Sequence, residues 1–355
     1  MINRIRVVLY PSAFIDYSIQ LANGLSKNAD VLLILPKKKV SKENLKKINK
    51  KVKSVIINKP RSRYLTSVVW SIKILKLIRD FNPNIIHLQH GTLWFLPILP
   101  FMKKYQIVAT LHDIKPHPGE ETLLTRFNMW MIRKFSDKAI VHSNTLKQLL
   151  RKTYNYYRPI YVIKHGNFNI LRGYTKIKEE KNWILFFGRI WEYKGLRYLI
   201  KAEPLIRKKI RDFKIVIAGR GENFDKYLRL IKNRDNFLIF NEFITEKRLT
   251  ELFQKSSIVV LPYIEASQSG IIPVAYQFKK PVISTDVGAL SDVIAHNKTG
   301  LLIKPKNVKQ LADAIIYLLQ RPMLRKKMGL EGYRFAQKEL SWEKIAKKTI
   351  EAYLE

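Results

Sequence analysis

The sequence contains no cysteine in 355 residues, so disulfides, zinc–thiolate sites and cysteine nucleophiles are excluded, an absence that fits a reducing compartment. A membrane span is not supported either: the apolar run Leu93 to Met102 is ten residues long and holds Pro97 and Pro100, whereas a spanning helix needs about twenty. No secretory signal is visible, because Met1 leads straight into the charged strand-like stretch Arg4 to Tyr10; this predicts a cytoplasmic protein. The fingerprint G-x-G-x-x-G with a downstream acid is missing, which counts against nicotinamide chemistry.

Acid is the other scarcity. Asp and Glu number 28 against 66 Lys and Arg, a formal charge of +38, and the excess leans toward residues 1–174, where 31 basic and eight acidic residues leave +23. Such a field favours anionic partners, whether nucleic acid, phosphorylated substrates or an anionic membrane. The densest run, Lys37 to Arg63, has twelve basic residues with Glu43 as its one acid. It reads first as a solvated lysine-rich surface, with a membrane-facing patch as the alternative. It lacks interleaved aromatics for base stacking, and no nucleic-acid motif is present, so nucleic acid is not an expected partner.

What is present is enough apolar residue, 46%, for two cores, in a chain too long for one. Strand-like runs Ile5 to Tyr10, Val31 to Leu35, Val52 to Ile57, Ile85 to Leu88, Ile107 to Leu111, Ala139 to His142 and Ile160 to Ile163 alternate with helix-period segments Tyr64 to Phe81, Leu123 to Phe135 and Thr145 to Lys152. After a polar connector, Ile170 to Lys181, the alternation restarts with strands Trp183 to Phe187, Phe213 to Ala218, Phe237 to Phe240, Ile258 to Leu261, Pro281 to Ser284 and Leu301 to Ile303. This predicts an α/β protein of two Rossmann-like domains, 1–168 and 169–340, with parallel sheets facing across a cleft. A last amphipathic helix, 341–355, with Ser341 as N-cap, is expected to pack back on the first domain. The aromatic and basic segments Leu93 to Met102 and Leu123 to Phe135 read as core packing, with an interfacial membrane patch as the alternative.

Chemistry concentrates where strands end. In FFGRIWEYKG, Gly188 closes a strand and is followed by Arg189 and Lys194; a chelating guanidinium and a point-charge ammonium at a turn suit a diphosphate. Either residue alone also reads as a solvated loop cation. A second turn, Gly219, Arg220 and Gly221, suits close approach to a nucleotide. In VVLPYIEASQSG, Glu265 precedes a small polar run ending at Gly270. His112, at a strand end before Asp113, reads by itself as structural. His87 and His90 face opposite sides of their strand, so joint metal binding is not expected.

In this order and spacing, FFGRIWEYKG, IAGRGE, VVLPYIEASQSG and KKPVISTDVGALSDVI, with LHD, AIVHSN and VIKHGN in the first half, resemble the retaining, nucleotide-sugar-dependent glycosyltransferases of family four, which have the GT-B fold. The resemblance implies that Arg189 and Lys194 bind the donor diphosphate, that Glu265 bonds hydroxyls of the transferred sugar, and that His112 contacts the sugar and reacting centre. Amides at Ser269, Gly270 and Ile271 would hold phosphate oxygens, beside Gly188, Gly219 and Arg220. It further implies transfer with retention, the leaving phosphate taking the acceptor's proton, with a UDP- or GDP-sugar as donor and no cofactor. No Asp-x-Asp motif is present, and no metal is expected. Where the family carries a ribose-binding acid this chain has Pro273, and Ser267 and Gln268 replace its usual glycine pair. The acceptor implied is a glycan or lipid-linked glycan in cell-surface polysaccharide or glycolipid synthesis, met at the inner face of an anionic membrane. Two alternatives stay open: a nucleotide-sugar epimerase of the same fold, and a catalytically silent partner subunit.

Overall fold

The computed structural model describes residues 4–11, 14–58, 66–89, 96–115, 122–167 and 175–355. His90, Leu93 to Phe95, the end of the basic run and part of the connector lie outside these. The chain divides into two compact units, Met1–Gly166 with Ser341–Glu355, and Asn167–Leu340.

The first unit runs β1 (Ile5–Pro11), α1 (Ile15–Leu25), β2 (Ala29–Pro36), α2 (Lys42–Lys46), β3 (Lys53–Ile57), α3 (Thr66–Phe81), β4 (Ile85–Gln89), β5 (Gln106–Thr110), α4 (Leu123–Phe135), β6 (Lys138–Val141), α5 (Asn144–Tyr154) and β7 (Ile160–Val162). The second holds β8 (Trp183–Phe187), α6 (Leu196–Arg207), β9 (Lys214–Ala218), α7 (Asp225–Leu228), β10 (Phe237–Phe240), α8 (Glu246–Lys255), β11 (Ile258–Leu261), α9 (Ile271–Gln277), β12 (Val282–Thr285), β13 (Gly300–Ile303), α10 (Val308–Leu319) and α11 (Pro322–Glu339); α12 (Trp342–Leu354) returns to the first.

Both sheets are parallel, in the orders β3-β2-β1-β4-β5-β6-β7 and β10-β9-β8-β11-β12-β13. The apolar runs explain this. Val7 to Tyr10 and Ile258 to Leu261 are buried on both faces, as strands covered by helices on two sides must be. In each sheet the chain starts in the middle, winds outward, then crosses back to pair the first strand on its other edge. That reversal creates a switch point, between β1 and β4 and between β8 and β11, where α/β proteins place ligands.

Helix α12 is anchored through Trp342. A Cβ on Gly166 would meet its ring at 2.6 Å and one on Gly24 its carbonyl oxygen at 2.8 Å, so only glycine lets the indole seat. Ser341 caps the helix as expected, accepting from Lys344 N at 3.4 Å. Ile345, Ala346, Ala352 and Tyr353 then complete the core begun by Val7, Leu9 and Leu21. From residue 175 the connector is without strand and docks on the second unit: Ile177 N donates to Gln254 Oε1 at 2.7 Å, and Glu179 pairs with the buried Lys280 at 2.7 Å and Arg325 at 3.1 Å.

Four helices were not expected from periodicity: α1, α2, α7 and α11. Helix α1 lacks a capping side chain and starts from Phe14 in the left-handed region at φ 58°, a conformation that sequence patterns do not announce for a bulky residue. Core packing for the segment Leu123 to Phe135 is corrected in part. Met129 and Ile132 face inward, but Leu123 is 87% exposed, and Phe127 and Trp130 stand half-exposed on the outer face beside Arg126. Residues 123, 126, 127, 130 and 134 recur at helical spacing, so one outer stripe mixes aromatics and cations.

Candidate active site

In the second unit the carboxyl ends of β8, β9 and β11 converge. Gly188 and Gly219 follow β8 and β9 with φ of 122° and 143°, values open to glycine alone, and a Cβ on Gly219 would stand 1.8 Å from Gly188 O. Gly188 N donates to Ala218 O, Ile190 N to Arg220 O, and Glu222 N to Ile190 O, so the two turns run as one ribbon carrying Arg189 and Arg220 outward. Both arginines are exposed; Arg220 lies over the exposed ring of Phe243 at 5.5 Å.

Lys194 ends the 3-10 turn Glu192–Lys194, and that turn is clipped to the loop after β11. Ile264 N donates to Tyr193 O at 2.8 Å, and Gly195, at φ 69°, would drive a Cβ to within 1.8 Å of Pro262 O. The Lys194 ammonium rests 3.8 Å from the centre of the Tyr263 ring. Tyr263 is buried, its hydroxyl 3.2 Å from Ser269 Oγ; burial pushes its phenol up to about 12, against the pull of Ser269 and the Arg189 charge. Glu192 braces the turn from outside through Arg197 at 2.8 Å and Lys226 at 2.9 Å; its carboxyl is held below the usual range, first by the Lys226 hydrogen bond. Glu265 follows with its side chain exposed.

The fold therefore brings Gly188, Arg189, Lys194, Gly219, Arg220, Glu265, Ser269, Gly270 and Ile271 to one sheet edge. Gly270 is the N-cap of α9, and the Ile271 amide donates to Ser269 Oγ at 3.3 Å. Pro273 is buried in the first turn of α9, where its missing N–H breaks no helical bond. Tyr263 and Phe243 carried no motif signal; the first is visible only as an aromatic between Pro262 and the acid.

His112 belongs to the other unit, just beyond β5, and is fully buried. Its Nε2 lies 2.8 Å from Gln89 Oε1 and its Nδ1 3.0 Å from His142 Nε2; Phe14 stacks on the ring at 4.0 Å, and Tyr17 meets it edge-on at 4.8 Å. His87 is held by Tyr353 and Thr110, so it is a structural histidine, and burial pushes both His87 and His142 down to about 3. Beside His112, the turn Leu111–Ile114 and the inner face of α4 line a pocket with Leu111, Ile114, Met129 and Ile132 as apolar walls; the buried Oδ1 of Asn128 has no hydrogen-bond partner there. Among the described residues no group of three His, Cys, Asp or Glu is placed to hold a metal ion, and no helix is long and apolar enough to cross a membrane.

Two family models match end to end: Glycosyltransferase Family 4 over residues 17–166 and Glycosyl transferases group 1 over 167–335. A D-inositol 3-phosphate glycosyltransferase of Pseudarthrobacter chlorophenolicus is 31% identical over 176 residues, 48% of this chain and 42% of that protein. The chain spans about half the length of the first curated relatives it matches, 46% and 42% for two of them. Among solved structures, the sucrose-phosphate synthase of Thermosynechococcus elongatus superposes with a TM-score of 0.78 at 16% identity, covering 99% of this chain and 98% of the other. Anabaena HepE in complex with UDP does so with 0.73 at 16% identity, covering 98% of each. With paired family models covering both units and two doubly wound parallel sheets, the chain belongs to the glycosyltransferases of family four and has the GT-B fold.

Proposed function

We propose that this protein transfers a sugar, with retention, from a nucleoside diphosphate to a hydroxyl of an acceptor, without a metal. The observation that carries the reading is the cluster at the β8–β11 switch point. Two cations, Arg189 and Lys194, are fixed there on glycine-shaped turns, with the exposed carboxylate of Glu265 one loop away. The cations match a diphosphate and stabilise the charge that grows on it as it leaves. Glu265 is suited to accept hydrogen bonds from sugar hydroxyls, and the Gly188 and Gly219 turns let backbone approach the nucleotide. The fold relative HepE has been solved with UDP and with UDP-glucose, which supports a nucleotide sugar as the ligand of this edge.

The acceptor reading rests on the first unit. Its pocket beside His112 sets apolar walls against Asp113, Thr125, Arg133 and the orphaned acceptor atom of Asn128, and its outer surface pairs exposed Leu123, Phe127 and Trp130 of α4 with Phe101 and, on α3, Ile72 and Val69. The turn Leu96–Met102 packs against both helices, so these residues share a side of the unit, with Lys73, Lys76, Lys103, Lys104, Arg126 and Lys134 among them. Apolar anchors rimmed by cations suit an anionic membrane, and hence a lipid-linked acceptor met at its surface.

Screening nucleotide sugars by thermal shift tests the donor: a compound held at one hundred times its dissociation constant adds about 2.7 kcal/mol. Stabilisation by one sugar nucleotide, weakened in Lys194→Ala and Glu265→Ala, is expected; no response to any of them sinks the donor site. Conversion of the donor without acceptor marks an epimerase instead. Co-sedimentation with anionic liposomes at low salt, reduced in Phe127→Glu with Trp130→Glu, tests the membrane face, and an unbound wild type ends it.

A further inference from the structure

Behind His112 the first unit holds a line of buried side chains to which the proposed transfer assigns no role. The contacts run from Tyr353 Oη to His87 Nδ1 at 2.6 Å, from His87 Nε2 to Thr110 Oγ1 at 2.7 Å, and from Thr110 Oγ1 to the Gln89 amide at 3.2 Å. They continue from that amide to His112 Nε2 at 2.8 Å, from His112 Nδ1 to His142 Nε2 at 3.0 Å, and from His142 Nδ1 to Ile163 O at 2.8 Å.

Both ends of this line dictate its direction. The Ile163 carbonyl can only accept, so His142 carries a proton on Nδ1 and, as a neutral ring, offers Nε2 as a lone pair; His112 then donates from Nδ1. At the far end the buried Tyr353 hydroxyl has His87 as its hydrogen-bond partner, so it donates into His87 Nδ1 and leaves the His87 proton on Nε2, aimed at Thr110. Thr110 passes its own hydrogen to Gln89.

The Gln89 amide decides the middle, because its oxygen and nitrogen exchange on a half-turn and bonding alone distinguishes them. With nitrogen toward His87 it would set one donor against another at 3.0 Å, and its oxygen would demand a proton on His112 Nε2, charging the His112–His142 pair. With oxygen toward Thr110 and nitrogen toward His112, every group is satisfied and neutral. The surroundings favour neutrality: among the described residues the titratable groups Tyr17, His165 and Asp113 also face the pair, His165 adds a repulsive charge to His142, and burial opposes charging of His142 more strongly than Asp113 assists it.

We propose that Gln89, Thr110, His87, His142 and Tyr353 are positioning residues that lock His112 as the neutral Nδ1–H tautomer, so that it meets substrate as a hydrogen-bond acceptor through Nε2 and not as a cation. This rests on the reading of His112 as a sugar-contacting residue. Gln89 is then the group that the incoming hydroxyl displaces from Nε2, and the remaining members keep the ring's proton on the far side.

Nitrogen-15 NMR of the full chain with labelled histidine tests this without any substrate. Expected are Nδ1–H signatures for His112 and His142 and an Nε2–H signature for His87, unchanged from pH 8 to 5.5. An Nε2–H tautomer of His112, or an imidazolium titrating near the ordinary value of about 6.5, overturns the proposal. Gln89→Glu, whose carboxylate only accepts, is expected to make His112 an imidazolium and to cut kcat by about 10²-fold with little change in the donor KM. Should that variant not fold, Tyr353→Phe keeps the ring and removes one oxygen; it is expected to release His87 to a mixture of tautomers, and an unchanged His87 signal counts against the line. The predicted tautomers in a chain without transferase activity would remove the functional reading and leave the hydrogen-bonded line standing.

Discussion

At their candidate sites the two units carry polar residues in opposite ways. The second sets Arg189, Arg220 and Glu265 in solvent, on turns whose shape glycine dictates. The first seals His87, Gln89, His112 and His142 inside, bonded to one another. An exposed charge keeps its hydration until an anion arrives and needs only a rigid turn to aim it. A buried polar group keeps no water, so each donor must find its acceptor within the protein, and the network becomes part of the unit's stability. The same doubly wound sheet therefore supports an exposed charged edge in one half and a buried histidine network in the other.

The largest test of this contrast removes the indole that closes the first unit. Trp342→Ala is expected to cost about 3–5 kcal/mol there, with unfolding followed by hydrogen exchange showing the second unit unchanged; equal loss in both units would erase the distinction. Acid comes next. With His87 and His142 lowered to about 3 when folded, against about 6.5 when unfolded, the unfolded chain takes up more protons below pH 6.5. Their contribution is complete above that value and drains away as pH falls toward about 3, at roughly 1.4 kcal/mol per pH unit for each. Limited proteolysis between pH 7 and 4.5 should open the first unit before the second, and the reverse order would contradict the burial argument.

In the second unit the same scale of energy should appear in activity instead. Lys194→Ala is expected to lower transfer by about 10²-fold and leave the melting temperature in place, since its ammonium sits beside Tyr263 at the site's edge. Arg220→Ala, one turn further out, is expected to cost about tenfold, near 1.4 kcal/mol, as weaker donor binding. Melting that drops in either variant would make these cations structural.

Much of this architecture is legible in the sequence, for physical reasons. Parallel strands buried on both faces leave unbroken apolar runs, which is why β8 and β11 begin and end where Trp183 to Phe187 and Ile258 to Leu261 predict. Glycines that a turn requires, such as Gly188 and Gly219, mark strand ends in the chain as well as in space. Burial of polar residues leaves no such mark. Nothing in LHD shows that Phe14, nearly a hundred positions earlier, lies over His112, or that the partner of its Nδ1 is the histidine of AIVHSN. The outward stripe of α4 was hidden for a related reason: aromatics at helical spacing look alike whether they face a core or solvent, and only Met129 and Ile132 on the opposite side reveal the direction.

Helix α12 also bears on the order of synthesis. The core of the first unit is begun by β1 and α1 but finished by Ile345, Ala346 and Tyr353, more than three hundred residues later. During translation, the emerging first unit must wait with its Trp342 socket empty and His87 without its tyrosine while the whole second unit is made and folds. A released chain that stops at residue 340 should therefore hold a finished second unit beside an unfinished first one, and residues 341–355 act as the latch by which the first-made unit becomes native last.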